Sequence, residues 1–213
     1  MSSLPAASQR DEATRVIGLQ TQYSDDLIGL PIVDPQLTWQ ITSERPDAVQ
    51  LAYEISSVGE MGDVITSAAV TSADQIEIVA SGHISKAREI RHLRVRIATQ
   101  YGWSEFSPYA KFETGLASGS ELTGDSIGDA SSHSEPSPIL RKEFQAAKKV
   151  MKARLYATSE GIHTLYLNAI PVTEEFFTPG WTAYDDRLTF ITYDVTSLVQ
   201  DGGNCISAEL GDG

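Results

Sequence analysis

Hydrophobic and polar residues alternate in short runs from Arg15 onward. Leu37, Trp39 and Ile41 are spaced by Thr38 and Gln40. Leu51, Tyr53 and Ile55 are spaced by Ala52 and Glu54, and Ile76, Ile78 and Ala80 by Glu77 and Val79. A period of two sends successive side chains to opposite faces of an extended chain, so each run predicts a strand with one face turned to a core. Clusters of Pro, Gly, Asp and Ser separate the runs, the pattern of an antiparallel sandwich. The strongest run is Leu93, Val95 and Ile97 with Arg94 and Arg96 between them, ending at a Tyr101-Gly102 turn before a further strand over residues 109–114. Residues 1–13 are polar and predict a frayed terminus.

A second set of runs begins at residue 137. Residues 139–144 predict a strand, and Met151, Ala153, Leu155 and Ala157 alternate with Lys152, Arg154 and Tyr156. Residues 162–168 follow after Gly161, then 188–193 and 205–210. Asp194 stands where a helix N-cap would, with a single turn over 195–199 closed by Gly202-Gly203. Between the two sets, residues 117–136 (ASGSELTGDSIGDASSHSEP) offer little to bury and read as a linker. Helical periodicity of any length is absent. The predicted fold is therefore all-β: one sandwich over 14–116 and a second β module over 137–213.

Trp103-Ser104-Glu105-Phe106-Ser107 resembles the WS-x-aromatic-S box of fibronectin type III domains. Arg94 and Arg96 lie on one face of their strand, and a guanidinium over an indole gains ~0.5–2 kcal/mol, so Trp103 with Arg94 and Arg96 reads as a structural ladder. A competing reading makes Trp103 and Phe106 a sugar-stacking patch.

Composition narrows the function classes. A 213-residue chain with 41% hydrophobic and 21% charged residues is ordinary for globular domains. Its formal net charge of −13 is spread over the chain: 9 basic residues stand against 15 acidic in 1–116, none against 4 in 117–136, and 7 against 10 in 137–213. With no basic segment, nucleic acid is not an expected partner. No window approaches the ~18 apolar residues of a membrane span, and residues 1–15 carry no apolar signal core. The single cysteine, Cys205, forms no internal disulfide and reads as a small buried hydrophobe on a strand. The expected location is cytoplasmic.

Residue types that do chemistry are scattered. His83, His92, His133 and His163 fit no metal-ligand spacing, no G-x-S-x-G elbow occurs, and Gly202-Gly203 matches a turn better than a phosphate loop. No metal or cofactor is expected. Glycoside hydrolysis needs two facing carboxyl groups, ~5–5.5 Å apart in retaining enzymes and ~6.5–9.5 Å apart in inverting ones. Asp185-Asp186 and Glu174-Glu175 are sequence neighbours, which point apart in a strand. The one ligand-like segment is residues 176–187 (FFTPGWTAYDDR). There Trp181 and Tyr184 offer aromatic plates beside Asp185, Asp186 and Arg187, the residue types that hold sugars. Packing against a neighbouring element is the competing use of that loop.

Several motifs in order carry a family resemblance: PILRKEF (138–144), ARLYA and LYLN within 153–172, PGWT-x-YD-x-R (179–187), TYDVT-x-L (192–198) and the closing LGDG. Together they resemble the N-terminal accessory module of bacterial α-L-rhamnosidases, glycoside hydrolase family 78, well over 137–213 and more loosely over 14–116. The resemblance implies a fibronectin-type-III-like module followed by part of a jelly-roll module of the galactose-binding kind. It also implies a downstream helical catalytic barrel, in the same polypeptide, that performs inverting hydrolysis of terminal α-L-rhamnose. No residue here inherits the catalytic role, so the chain is expected to be inactive alone. The alternative is a free-standing carbohydrate-binding or adhesion protein of two sandwich modules. A small hydrolase using acids of the second module ranks last. Five or six strands over 137–213 fall short of the eight of a jelly roll, so this half is expected to be the less stable and to self-associate through uncovered edges near Leu155, Leu165, Leu167 and Ile206.

Overall fold

The computed structural model describes residues 4–21, 28–30, 34–84, 86–128 and 137–212. The chain forms two compact units, residues 1–117 and 118–213, and among the described residues the only helical element is a 3₁₀ turn, Gly119–Glu121. His133, one of the scattered histidines, lies outside the described residues.

In the first unit, strands β1 (Thr14–Thr21), β2 (Gln36–Ser43), β3 (Ala52–Gly59), β4 (Val64–Thr66), β5 (Ile78–Val79), β6 (Ile90–Thr99), β7 (Gly102–Trp103) and β8 (Ala110–Glu113) build two antiparallel sheets. One runs β1-β2-β5. The other runs β4-β3-β6, with β7 and β8 both on the far side of β6. The alternation on β6 decides the packing: Leu93, Val95 and Ile97 are fully buried between the sheets with Val16, Leu37, Trp39, Ile55 and Phe112. Trp39 meets Tyr53 edge-on at 5.4 Å between ring centroids. The indole N–H donates to Gln50 Oε1 at 3.0 Å, and Gln50 Nε2 donates to the carbonyls of Ser72 and Asp74. The run at 76–80 shortens to two residues because Glu77 adopts φ +54°, which leaves Ile76 in solvent.

The segment after β7 shows how an irregular stretch serves as a strand. Ser104 N–H donates to the Ile97 carbonyl and Ser107 N–H to the Val95 carbonyl, each at 2.8 Å. The Ser104 hydroxyl accepts from Ile97 N–H at 3.1 Å, and the Ser107 hydroxyl accepts from Val95 N–H at 3.0 Å. Two serines thus satisfy the amides of β6 that no regular strand reaches. On the outer face Arg96 lies over the Trp103 ring at 4.9 Å and over Phe106 at 5.0 Å, and Arg94 over Phe106 at 4.4 Å and Tyr109 at 4.8 Å. Trp103 is 4% exposed and packs on Ala52 and Ala98, so it presents no plate to a ligand.

Part of the expected frayed terminus is built into the sheet. Asp11 N–H donates to the Trp103 carbonyl and Trp103 N–H to the Gln9 carbonyl, both at 2.8 Å. The buried Asp11 carboxylate accepts from Thr14 Oγ1 at 2.8 Å and Thr99 Oγ1 at 2.6 Å. Gly102 permits this approach: its φ is +142°, and a Cβ there would lie 2.8 Å from Arg10 backbone carbon. Burial of unpaired polar backbone is costly, and these bonds remove that cost for residues 9–11.

In the second unit, β9 (Ile139–Ala146), β10 (Arg154–Thr158), β11 (Ile162–Leu167), β12 (Ile170–Pro171), β13 (Phe190–Asp194) and β14 (Gly202–Gly211) form a four-stranded sheet, β12-β11-β14-β9, and a separate β10-β13 pair. The run containing Met151 enters its strand only at Arg154, and Met151 is exposed. Leu165, Leu167, Tyr193 and Val195 are buried, with Leu155, Ile191 and Ile206 half-buried against them. An open apolar cleft of about 530 Å³ is lined by Lys142, Phe144, Ala153, Leu155, Leu167 and Ile206, among others. Asn168 and Ala169, both at positive φ, turn the chain from β11 to β12. Asn168 Nδ2 donates to Asn204 Oδ1 and the Leu198 carbonyl, which stitches the turn after β13 onto the sheet. Asp194 Oδ1 accepts from Thr196 N–H at 3.0 Å at the start of that turn. Cys205 lies on β14 but only half-buried, because its position faces the outer side of the sheet, where Sγ accepts from Arg141 Nε at 3.1 Å.

Replacing Ser104 or Ser107 by Ala leaves a buried β6 amide unpaired and is expected to cost about 1–3 kcal/mol each, with Thr recovering part of the loss. Urea unfolding of the purified chain measures it, and an unchanged midpoint would show that the hydroxyls are dispensable.

Two buried histidines, His83 bonded to Ser57 and His163 bonded to Ser159, are held below the usual imidazole range by burial, His83 additionally by the Arg91 charge. The unfolded chain takes up its protons near pH ~6.5. Between that value and the lower folded one the unfolded state binds more protons, so stability is full above ~6.5 and falls as pH drops through this window. The urea midpoint should decline from pH 7.5 to 5, and the decline should shrink in H83Q/H163Q; an equal slope in that variant would assign the effect elsewhere.

Candidate functional site

The residues singled out for ligand contact lie in the long connection from β12 to β13, and its two ends are held differently. The first is tied to β11: His163 N–H donates to the Thr178 carbonyl at 2.7 Å, and Thr178 Oγ1 donates to the His163 carbonyl at 2.8 Å. The Thr178–Pro179 peptide is cis, Phe177 has φ +59° and Gly180 φ +93°. The second part closes on itself. Asp186 N–H donates to the Ala183 carbonyl at 2.8 Å, Arg187 N–H to the same carbonyl at 3.0 Å, and buried Thr182 gives its hydroxyl proton to the Arg187 carbonyl at 2.8 Å. A short anchored turn thus presents Tyr184, Asp185 and Asp186.

The loop separates the five residues. Trp181 is 77% exposed, Asp185, Asp186 and Arg187 are exposed, and Tyr184 is half-buried with its hydroxyl oxygen enclosed and unpaired. Among the described residues neither an ion pair nor a hydrogen bond engages the side chains of Asp185, Asp186 or Arg187. Phe176 and Phe177, at 87% and 76% exposure, are a feature that the sequence reading did not separate from the rest of the segment. Their signal was the pair itself: two adjacent aromatics cannot both face one core from a strand. The loop therefore carries a broken row of three exposed aromatic rings with charged groups beside the last. Its chemistry is that of contact: rings for apolar faces, carboxylates and a guanidinium for hydroxyl groups.

Facing acids are a different requirement, and the second unit does not meet it on its sheet. Glu143 on β9 pairs across to Cys205, while Glu209 lies four residues further along β14. At ~3.3 Å per residue the two are ~13 Å apart, beyond either hydrolytic spacing. Asp194 is engaged by Arg154 Nη1 at 2.8 Å. Asp185 and Asp186 occupy one exposed turn. Two clefts of the structure lie elsewhere: the one beside β9 and β10, and one on the first unit lined by residues 38–40 and 73–76. No group of His, Cys, Asp and Glu side chains among the described residues could hold a metal ion. No helix among them is long and apolar enough to cross a membrane.

Comparison with known proteins places both units. Residues 16–118 match the family described as Rha78A-like, N-terminal immunoglobulin domain, and residues 148–213 match the alpha-L-rhamnosidase N-terminal domain. The chain is 28% identical over 204 residues to an alpha-L-rhamnosidase of Alteromonas sp. (strain LOR), covering 87% of this chain and 22% of that protein. It is 35% identical over 120 residues to an alpha-L-rhamnosidase of Formosa agariphila, covering 52% of this chain and 13% of that one. The chain thus spans about a fifth or less of the curated relatives it matches. Among solved structures, alpha-L-rhamnosidase from Dictyoglumus thermophilum superposes with a TM-score of 0.83 at 23% identity, covering 97% of this chain and 26% of that one. The enzyme from Aspergillus terreus gives 0.82 at 24% identity, over 94% and 24%. These two likenesses establish the fold. With two rhamnosidase N-terminal domain families matched in succession and relatives of one name behind them, the chain corresponds to the N-terminal region of α-L-rhamnosidases.

Proposed function

We propose that this chain is a non-catalytic accessory region working with a catalytic domain of the α-L-rhamnosidase type, whose reaction is inverting hydrolysis of terminal α-L-rhamnose. The observation that carries this reading is the ordered match of residues 16–118 and 148–213 to two rhamnosidase N-terminal domain families. The ~13 Å between Glu143 and Glu209 along the β9–β14 ladder and the exposure of Asp185 and Asp186 support it. The lone Cys205 supports a reducing, cytoplasmic setting. The purified chain is expected to release no product from an aryl α-L-rhamnoside. Turnover that survives repurification and vanishes in D185N or D186N would overturn the assignment.

A second role, favoured by the exposed rings, is weak carbohydrate contact through Trp181, Tyr184, Asp185, Asp186 and Arg187. Of the three tryptophans, Trp39 and Trp103 are buried and only Trp181 is exposed, so acrylamide-quenchable emission reports Trp181. L-Rhamnose at millimolar concentration is expected to protect that emission, and W181F to lose the effect. Unchanged quenching up to saturating sugar would reduce the loop to a packing surface.

A further inference from the structure

Among the described residues β9 is the last strand of its sheet, and parity along it divides its backbone groups and its side chains. Among the described residues β9 pairs only with β14, in unbroken register from Gly202 opposite Ala146 to Glu209 opposite Ile139. Leu210 N–H donates to the Pro138 carbonyl at 3.0 Å, which makes 138 and 210 a hydrogen-bonded pair of this ladder. In an antiparallel ladder such pairs recur every second residue. Residues 140, 142, 144 and 146 therefore direct their N–H and C=O groups to β14, and Ile139, Arg141, Glu143 and Gln145 direct theirs to the open side. The side chains divide the same way. Lys142 and Phe144 line the apolar cleft on the core side, where Lys142 pairs across to Ile206 and Leu140 to Ala208, whereas Arg141 and Glu143 stand exposed on the outer side.

We propose that β9 pairs edge to edge with β9 of a second copy of this chain, antiparallel about a two-fold axis passing beside Lys142. A two-fold axis normal to the sheet requires opposed residues to share a face, which restricts the register to pairs of like parity. Within one chain Arg141 Nη2 already pairs with Glu143 Oε1 at 2.5 Å on the outer side, both side chains exposed, and centring on residue 142 exchanges that pair for Arg141 against the second copy's Glu143 and Glu143 against its Arg141. On the core side it sets Leu140 against the second copy's Phe144 and Phe144 against its Leu140, both in non-hydrogen-bonded positions where side chains approach most closely. The opposed groups 141 and 143 are also those whose amides and carbonyls face the open edge, so the backbone bonds are met in this register, and the side chains select it among the registers of like parity. Only the pair of Lys142 side chains is opposed like to like, and its long stem reaches out of the cleft mouth. Centring on residue 143 instead sets two Glu143 carboxylates together and Lys142 against Phe144, so it is disfavoured. The occupant is self-complementary in both charge and apolar contact, as an isologous interface must be. The inference stands apart from the rhamnosidase reading, since it uses only β9 and its neighbours.

Sedimentation equilibrium of the 213-residue chain should show a reversible monomer–dimer exchange. R141E alone and E143R alone should each weaken it roughly tenfold or more, since the two-fold axis makes every change act twice, and the double swap R141E/E143R should restore it. In a C205S background, K142C should form a disulfide dimer under mild oxidation, because the two residues are directly opposed at ~4.5 Å between Cα atoms, within the reach of a disulfide; E143C should not. Dimerisation insensitive to the charge changes, a double swap that fails to rescue while its far-ultraviolet circular dichroism matches the parent, or preferential cross-linking at 143 would each overturn the proposal. So would a chain that stays monomeric at every accessible concentration.

Discussion

Strand β6 is the element on which the first unit depends, and the constraint it satisfies is that a buried strand leaves no backbone group unpaired. On one side β3 supplies a continuous ladder. On the other no single strand is long enough: β7 covers Ala98 and Thr99, two serines cover Ile97 and Val95, and β8 takes over from Leu93. The side chains then follow from the ladder. Leu93, Val95 and Ile97 point to the core because the backbone is held flat, and Arg94 and Arg96 are left on the outer face with aromatic rings to lie over. The serine hydroxyls matter here as substitutes for backbone, a role that polar side chains of the right length can fill.

What alternation could reveal was therefore the interior of long strands. Leu37, Trp39, Leu93, Val95 and Ile97 are buried as their spacing implied. Short elements were invisible for a physical reason: β4, β7 and β12, of three, two and two residues, are too brief to show a period. The pairing of residues 9–11 with Trp103 was also beyond local reading, since a polar stretch becomes a strand partner only when an edge some ninety positions later is there to receive it. Burial was misjudged at Cys205 because its parity on β14, not its chemistry, sets the face it takes. In the candidate loop the residue types were legible but their exposure was not. Phe176, Phe177 and Trp181 are apolar, and only the anchoring of Thr178 and Thr182 inward decides that these rings face out.

The two units differ in how far burial has been completed. Among the described residues, thirteen make the main buried cluster of the first unit and four that of the second. A sandwich gains most of its stability from apolar area withdrawn from water, so the second unit holds its strands with less. The Asn168–Asn204 contact and the Arg154–Asp194 pair add polar ties at places where hydrophobic contact is thin.

The seating of residues 9–11 against β7 has a consequence for synthesis. Chains emerge from the ribosome amino end first, at ~5–20 residues per second. Gln9 and Asp11 therefore emerge about ninety residues before their partners Thr99 and Trp103. Residues 9–11 thus dock long after they are made, and Asp11 stays hydrated until the sheet that will bury it exists. During most of the first unit's translation residues 9–11 wait without their partners, and they lock only when that unit is nearly whole.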